Sequence, residues 1–364
     1  MKKMQEIEEI KLVQQFSNLN GAPGFEMEVA KFFQQQVKNY GTTKIDGMFN
    51  SYVSRHGNTG HRPVVQMDAH ADSVGFITQA VRPNGLLKFV PLGGWAPTNI
   101  PAMRVRVRNR DGQYIKGVVA TKPPHFMSAA EKNSVPQIEN LSIDVGSTSR
   151  AETINDFKID TGCPIVVDAE CEYFSNTRMF FGKDFDNRVG AAALVDTLNQ
   201  LEGKNLNVDL KVALSTQEEV GTRGAQVTVR NIDPDLAIVF EGCPCDDTFS
   251  PDWLAQTGLK RGPMLRDMDT SFIANPLFEQ YADDIATQNQ IPHTRSVRTG
   301  GGVNGAPILY YRGAPTIVIG IPVRYEHTAF NWSSLDDFQN AVQLAVKIIT
   351  SLDTEVINSF NGAE

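Results

Sequence analysis

Five places in the 364-residue chain set a histidine or a carboxylate where an apolar run stops. After V-V-Q-M (64–67) comes D-A-H-A-D, with His70 and Asp72, and the helical run from Asn187 is preceded by G-K-D-F-D, with Asp184 and Asp186. S-T-Q-E-E-V-G, with Glu218 and Glu219, follows the apolar stretch 208–214. Glu241 follows L-A-I-V-F, and G-I-P-V-R-Y-E-H, ending on His327, follows 315–319. Each has an ordinary reading on its own. H-x-D is commonplace, Asp186 could cap a helix for about 1 kcal/mol, adjacent glutamates usually mark a solvated turn, and His327 could be structural. Their recurrence at successive strand ends is another matter, because chemistry in open α/β sheets gathers beyond the carboxyl ends of the strands. The pattern predicts a metal centre assembled across the fold.

The donors suit such a centre. His70 and His327 bring two imidazoles, and Asp186, Glu219 and Glu241 bring three negative charges. Two divalent cations with a bridging hydroxide would neutralise them, and a shared carboxylate holds such ions about 3.5–4 Å apart. Asp72, two residues past His70, is placed to take that ring's other N–H and orient it. Glu218 is left over as a general base for the water. Mixed nitrogen and oxygen ligation favours zinc or cobalt, with manganese possible.

The elements that must carry these residues can be read from hydrophobic spacing. Ile7, Ile10, Val13 and Phe16 predict a first helix, and a second runs from about 26 to 37 after the loop N-G-A-P-G-F-E. Strands are expected at 64–67, 208–214, 236–240 and 315–319, with helices at 187–201 and 335–352. The last begins with a capping-box-like Ser333–Ser334 and Asp336–Asp337. Between 74 and 167 the texture changes to short β-like runs (86–91, 103–107, 113–119, 164–167) punctuated by Gly, Pro and Asn. That predicts a small all-β barrel or sandwich. The expected organisation is an α/β domain in two parts, 1–73 and 168–364, interrupted by a β insertion at 74–167.

Composition narrows the partners. With 34 Lys+Arg against 42 Asp+Glu the net charge is -8, which disfavours nucleic acid. The longest apolar stretch is about ten residues, short of the ~20 a membrane span needs. The first residues lack the apolar core of a secretory signal, and four cysteines do not make a disulfide framework, so a soluble cytoplasmic protein is expected. His56, His61, His125 and His293 lie in Gly- or Pro-rich loops, and no G-x-S-x-G nucleophile motif or phosphate loop occurs.

In one order the chain carries H-A-D-S-V-G-F, D-N-R-V-G, Q-E-E-V-G-T-R-G-A, a late G-G-G and I-P-V-R-Y-E-H-T. That series resembles the glutamyl/tetrahedral (TET) aminopeptidase family of co-catalytic metallopeptidases over nearly the whole chain. The resemblance implies a three-layer mixed-sheet exopeptidase domain with an inserted barrel that serves dimerisation and assembly. It implies His70 and Glu219 on one metal, Glu241 and His327 on the other, and Asp186 bridging, with Glu218 as base and Asp72 as orienter. The activity implied is removal of N-terminal amino acids from short peptides by a metal-activated water, in assemblies from dimers to dodecamers. Three departures stand out. Glu241 replaces the family's Asp, a ligand position that tends to separate aminopeptidases from carboxypeptidases and deacylases. Val303 and Asn304 replace Thr and Asp in the glycine stretch, removing a carboxylate expected near the substrate's amino terminus. Cys243 and Cys245 appear as C-x-C, either soft ligands or, as expected here, a reduced loop pair. The alternatives are therefore a di-metal deacylase or carboxypeptidase on N-acyl amino acids, and a non-catalytic peptide-binding assembly subunit.

Overall fold

The computed structural model describes residues 2–361. Two helices, α1 (Lys2–Asn18) and α2 (Met27–Val37), lead into strands β1 (Gly41–Ile45), β2 (Ser51–Arg55) and β3 (Val64–His70). Six strands follow: β4 (Gly75–Val81), β5 (Leu87–Leu92), β6 (Arg104–Arg108), β7 (Tyr114–Val119), β8 (Ile143–Asp144) and β9 (Pro164–Val167). Two short helices, α3 (Ala129–Lys132) and α4 (Arg150–Asn155), lie among them. The chain continues through β10 (Glu172–Phe174), β11 (Met179–Gly182), α5 (Phe185–Gln200), β12 (Asp209–Ser215), α6 (Arg223–Ile232) and β13 (Leu236–Pro244). It ends with β14 (Met264–Met268), α7 (Pro276–Gln288), β15 (Thr294–Val297), α8 (Gly305–Arg312), β16 (Thr316–Arg324), β17 (Asn331–Ser334), α9 (Leu335–Ser351) and α10 (Thr354–Ser359). Among the described residues no helix is long and apolar enough to cross a membrane.

Strands β4–β9 close into a barrel in the order β4-β5-β8-β7-β6-β9, every pair antiparallel. Alternating Val105 and Val107, with Phe76, Phe89 and Ile165, fill its own core. The other strands form one mixed sheet, β1-β2-β12-β3-β13-β16-β17-β11-β10, with β14 and β15 attached through β16. Its centre is parallel, which calls for helices on both faces. On one face lies α5, whose G-A-A-A-L-V run is buried all round between the sheet, α1 and α9. Small residues let these layers approach closely, and a helix apolar on every side belongs inside. On the other face α6 and α8 cover Ala237, Val239 and Val318.

Strand alternation then decides which way each polar residue points. Val65, Met67 and Ala69 face α5, as do Leu236, Ile238 and Phe240. Gln66, Asp68, His70 and Glu241 therefore face the opposite layer. Two expected strands prove longer than their apolar runs, because β3 continues through His70 and β13 through Glu241 to Pro244. The two donors are thus in-strand residues at the carboxyl ends of parallel neighbours, not residues of the loops beyond. At the start of α9, Ser334 caps the Asp336 N–H at 3.2 Å, while Asp337 turns away to accept the N–H groups of Lys260 and Gly262.

Candidate metal centre

In the parallel pairing of β3 with β13, Val65 stands opposite Leu236 and Asp68 opposite Val239; two residues further on, the same register sets His70 beside Glu241. Their side chains meet, with His70 Nε2 3.0 Å from Glu241 Oε1 and 3.0 Å from Asp186 Oδ1. The other Asp186 oxygen faces His327, Nε2 lying 3.3 Å from Oδ2, and Glu219 Oε2 lies 3.3 Å from the same nitrogen. Glu218 Oε2 stands 3.9 Å from His70 Nε2. All six residues come together, and Asp186 stands between the two imidazoles. In direct contacts Glu241 stands against His70 and Glu219 against His327, whereas the resemblance implied His70 with Glu219 and His327 with Glu241. Donor atoms of His70, Asp186 and Glu219 also fall within 4.8 Å of one another, while the direct contact of Glu219 is with His327.

Asp186 is not the helix cap its position allowed. Asp184 adopts left-handed backbone at φ 58, Asp186 itself is extended (φ -83, ψ 107), and the Asp186–Asn187 peptide is cis. Asn187 does the capping, accepting the Gly190 N–H at 3.0 Å while its own amide donates to Phe240 O at 2.8 Å. Gly242 explains how β13 comes so near: a Cβ there would sit 2.7 Å from Asp186 Cα and 2.9 Å from Phe185 O. Arg188 is fully buried and donates to the carbonyls of Phe16, Leu19 and Gly21 and to Ser73 Oγ, tying the N-terminal loop to the segment after Asp72.

Asp72 departs from its expected role in one respect. The His70 Nδ1 partner at 3.0 Å is the main-chain oxygen of Asp72, with the carboxylate at 3.6 Å. The carboxylate instead accepts the backbone N–H groups of Glu218 (2.9 Å) and Glu219 (3.0 Å). Glu26 extends this clamp by accepting the N–H of Gln217, a residue in left-handed backbone at φ 54. Sequence reading missed Glu26; its only signal was its place in a Gly/Pro loop.

Burial alone would push both imidazoles down. Glu241, Asp186 and Asp72 overcome it at His70, holding that ring well above its ordinary range, and Asp186 with Glu219 raise His327 to about 12. Against its own burial, Asp186 is held well below the usual carboxylate range by the two imidazoles. Burial drives Glu218 well above that range, raises Glu219, and takes Glu241 to about 7. Among the described residues, the buried oxygens Glu219 Oε1, Glu241 Oε2 and Glu326 Oε2 have no hydrogen-bond partner. Buried carboxylate oxygens are normally satisfied, so Glu219 Oε1 and Glu241 Oε2, beside two imidazoles, fit a pair of divalent cations in both charge and donor type. Glu326 was also missed, hidden beside His327 in R-Y-E-H.

Other expected features fall elsewhere. Asn304 is buried and donates to Asp68 Oδ1 at 2.8 Å, so it does not face the cleft. Cys243 lies within β13, accepting from Arg266 Nη2 at 3.0 Å, and Cys245 follows directly, so they are strand-end residues and not a loop pair. Burial raises both thiols, Cys243 to about 11, and neither belongs to the donor clusters formed among the described residues. His293 bonds Asp283 and Ile291 O; His56, His61 and His125 are exposed. The donors open into a cleft of about 970 Å³ whose wall includes Gly94, Phe249, Leu254, Arg298 and Gly300.

Residues 50–344 match the model of the M42 glutamyl aminopeptidase family. The chain is 30% identical over 347 residues to the glutamyl aminopeptidase of Lactococcus lactis subsp. cremoris, covering 95% of this chain and 97% of that one. It is also 30% identical over 322 residues to the lysyl aminopeptidase of Pyrococcus furiosus, covering 85% and 87%. Its structure superposes on a crystal structure of a TET aminopeptidase from a marine sediment Thaumarchaeota archaeon. The TM-score is 0.92 at 32% identity, over 97% of this chain and 99% of the other.

Proposed function

The chain belongs to the M42 glutamyl aminopeptidase family, and is a hydrolase; from that premise we propose that it removes N-terminal residues from short peptides at a pair of divalent ions. His70 and Glu241 would hold one ion, His327 and Glu219 the other, and Asp186 both. The observation that carries this reading is the division of Asp186, one oxygen toward each imidazole–glutamate pair. When bound, the ions polarise the scissile carbonyl and acidify water; the nitrogen and oxygen donors suit zinc or cobalt. Glu218 has its main chain fixed by Asp72 and its side chain at the edge of the ligand cluster. It is the group free to accept the proton of the attacking water and return it to the departing amine. Burial raises its proton affinity, which suits a carboxylate that must hold a proton between those steps.

Relatives at the same 30% identity are named for glutamyl and for lysyl substrates, so the preferred side chain belongs to this chain's own cleft. The likeness to a TET aminopeptidase supports self-association, and we assign that role to the barrel, 74–167. Glu241 keeps a second reading alive, deacylation of N-acyl amino acids at the same ions. Initial rates on aminoacyl amides beside their N-acetylated twins test both. Cleavage of the free-amine set alone is expected, whereas cleavage of the acetylated set would make this a deacylase. Glu218→Gln should retain both ions by metal analysis yet lose at least ~10²-fold in turnover. Near-normal turnover with metal bound would remove Glu218 from the base position.

A further inference from the structure

Glu326 has no task in that scheme, yet it is held firmly at the cleft. Tyr325 and His327 on either side of it both adopt left-handed backbone, φ 62 and φ 55. Tyr325 O is pinned by Asn331 Nδ2 at 2.6 Å and Thr328 Oγ1 at 2.7 Å. A Glu326 carboxylate oxygen lies within 4.8 Å of donor atoms of both Asp186 and His327, and the residue lines the same cleft as the ligands. Its Oε2 is buried and unpartnered among the described residues.

The charges leave it a specific demand. Six carboxylates line the cleft. Asp246 is taken up by the N–H groups of Gln256 and Thr257, Asp186, Glu219, Glu241 and Glu218 have their places in the scheme above, and Glu326 is left over. Of the two arginines on the cleft wall, Arg266 is engaged by Asp269 at 3.0 Å and by Cys243, and Arg298 by Ser296 Oγ, Pro244 O and Thr257 Oγ1. Glu326 Oε2, next to the His327 side of the centre, is thus left without a partner among the described residues, where an isolated buried charge is costly. The cation that arrives with a peptide substrate is its α-ammonium, one carbon removed from the scissile carbonyl. Asn304, the position expected to mark an amine-binding carboxylate, is buried against Asp68 and cannot serve.

We propose that Glu326 is the residue that recognises the substrate's free α-amino group, and so sets the preference for unblocked N-termini. The inference rests on the aminopeptidase reading above. Its test is calorimetric binding of an α-amino hydroxamate, and of the same hydroxamate lacking the amine, to metal-loaded protein. Both probes share the metal-seeking group, so their ratio isolates the amine. Wild type should prefer the amino probe, and Glu326→Gln should shrink that preference about 10- to 100-fold with the metal content unchanged. Glu326→Asp, which keeps the charge on a shorter arm, should retain part of it. An unchanged preference in Glu326→Gln overturns the inference, and so does loss of an ion, which would make Glu326 a metal ligand. No preference in wild type would instead count against the aminopeptidase reading itself.

Discussion

Asp72 acts through two different atoms on two different parts of the centre. Its main-chain oxygen faces the His70 ring, while its carboxylate accepts the two N–H groups that carry Glu218 and Glu219. A side-chain substitution therefore separates them. Asp72→Asn leaves the carbonyl at His70 but sets an amide NH2 against one of the two backbone donors, loosening the base and its neighbour. A buried N–H left unpaired costs about 1–3 kcal/mol. We expect turnover to fall at least ~10-fold while the His70 ion is retained, read by steady-state rates beside metal analysis. Loss of metal with the Glu218 loop intact would return the carboxylate to orienting His70. The H-A-D spacing made Asp72 legible as a support for the site, but not which of its oxygens does which job. Sequence cannot distinguish a main-chain from a side-chain acceptor two residues away.

At the level of elements, the donors were legible because apolar runs end abruptly in polar residues, and the barrel because its short strands and turns break the helix–strand rhythm. Which glutamate stands against which imidazole was not legible, for a physical reason. It depends on which strands are neighbours, and the order β12-β3-β13-β16 sets His70 beside Glu241, although the glutamates of 218–219 come earlier in the chain. Glu326 and Glu26 were invisible for a related reason, since their meaning comes from atoms distant in sequence. Another buried carboxylate yields an element-scale prediction. Glu279, in the first turn of α7, is 1% exposed, and both its oxygens lack partners among the described residues. Burial, with Asp267 and Asp283 adding to it and Arg295 opposing, raises its pKa to about 8 from 4.5. The folded state then holds a proton that the unfolded chain releases, so stability falls as pH rises from about 4.5 to 8. At ~1.4 kcal/mol per unit the effect amounts to a few kcal/mol. Glu279→Gln should flatten that slope and melt above wild type at pH 8 but not at pH 4.5. Parallel melting curves across that range would refute it.

On the scale of the whole molecule, the loop after β5 brings the barrel to the cleft, where Gly94 is part of the wall. Trp95 stacks on Phe76 of β4 at 4.9 Å and donates to Gly75 O, and this fastening sets Gly93 and Gly94 over the ligands. A Cβ on Gly94 would lie 3.3 Å from His327 Nδ1; one on Gly93 would lie 2.6 Å from Val74 Cγ1 and 3.3 Å from Glu219 Oε2. The barrel's core residues therefore fix how near its loop stands to the His327–Glu219 pair. Gly93→Ala should displace that pair, lowering activity and weakening retention of one ion during dialysis, with circular dichroism unchanged. Gly93 also has φ +90, so backbone strain alone must be controlled for. Gly146→Ala supplies the control, since Gly146 lies in the barrel at φ +83, meets nothing within 4 Å, and does not line the cleft. It should cost a similar ~1 kcal/mol of stability and leave rates and metal untouched. Equal losses of activity in both variants would mean that the barrel affects catalysis only through general stability.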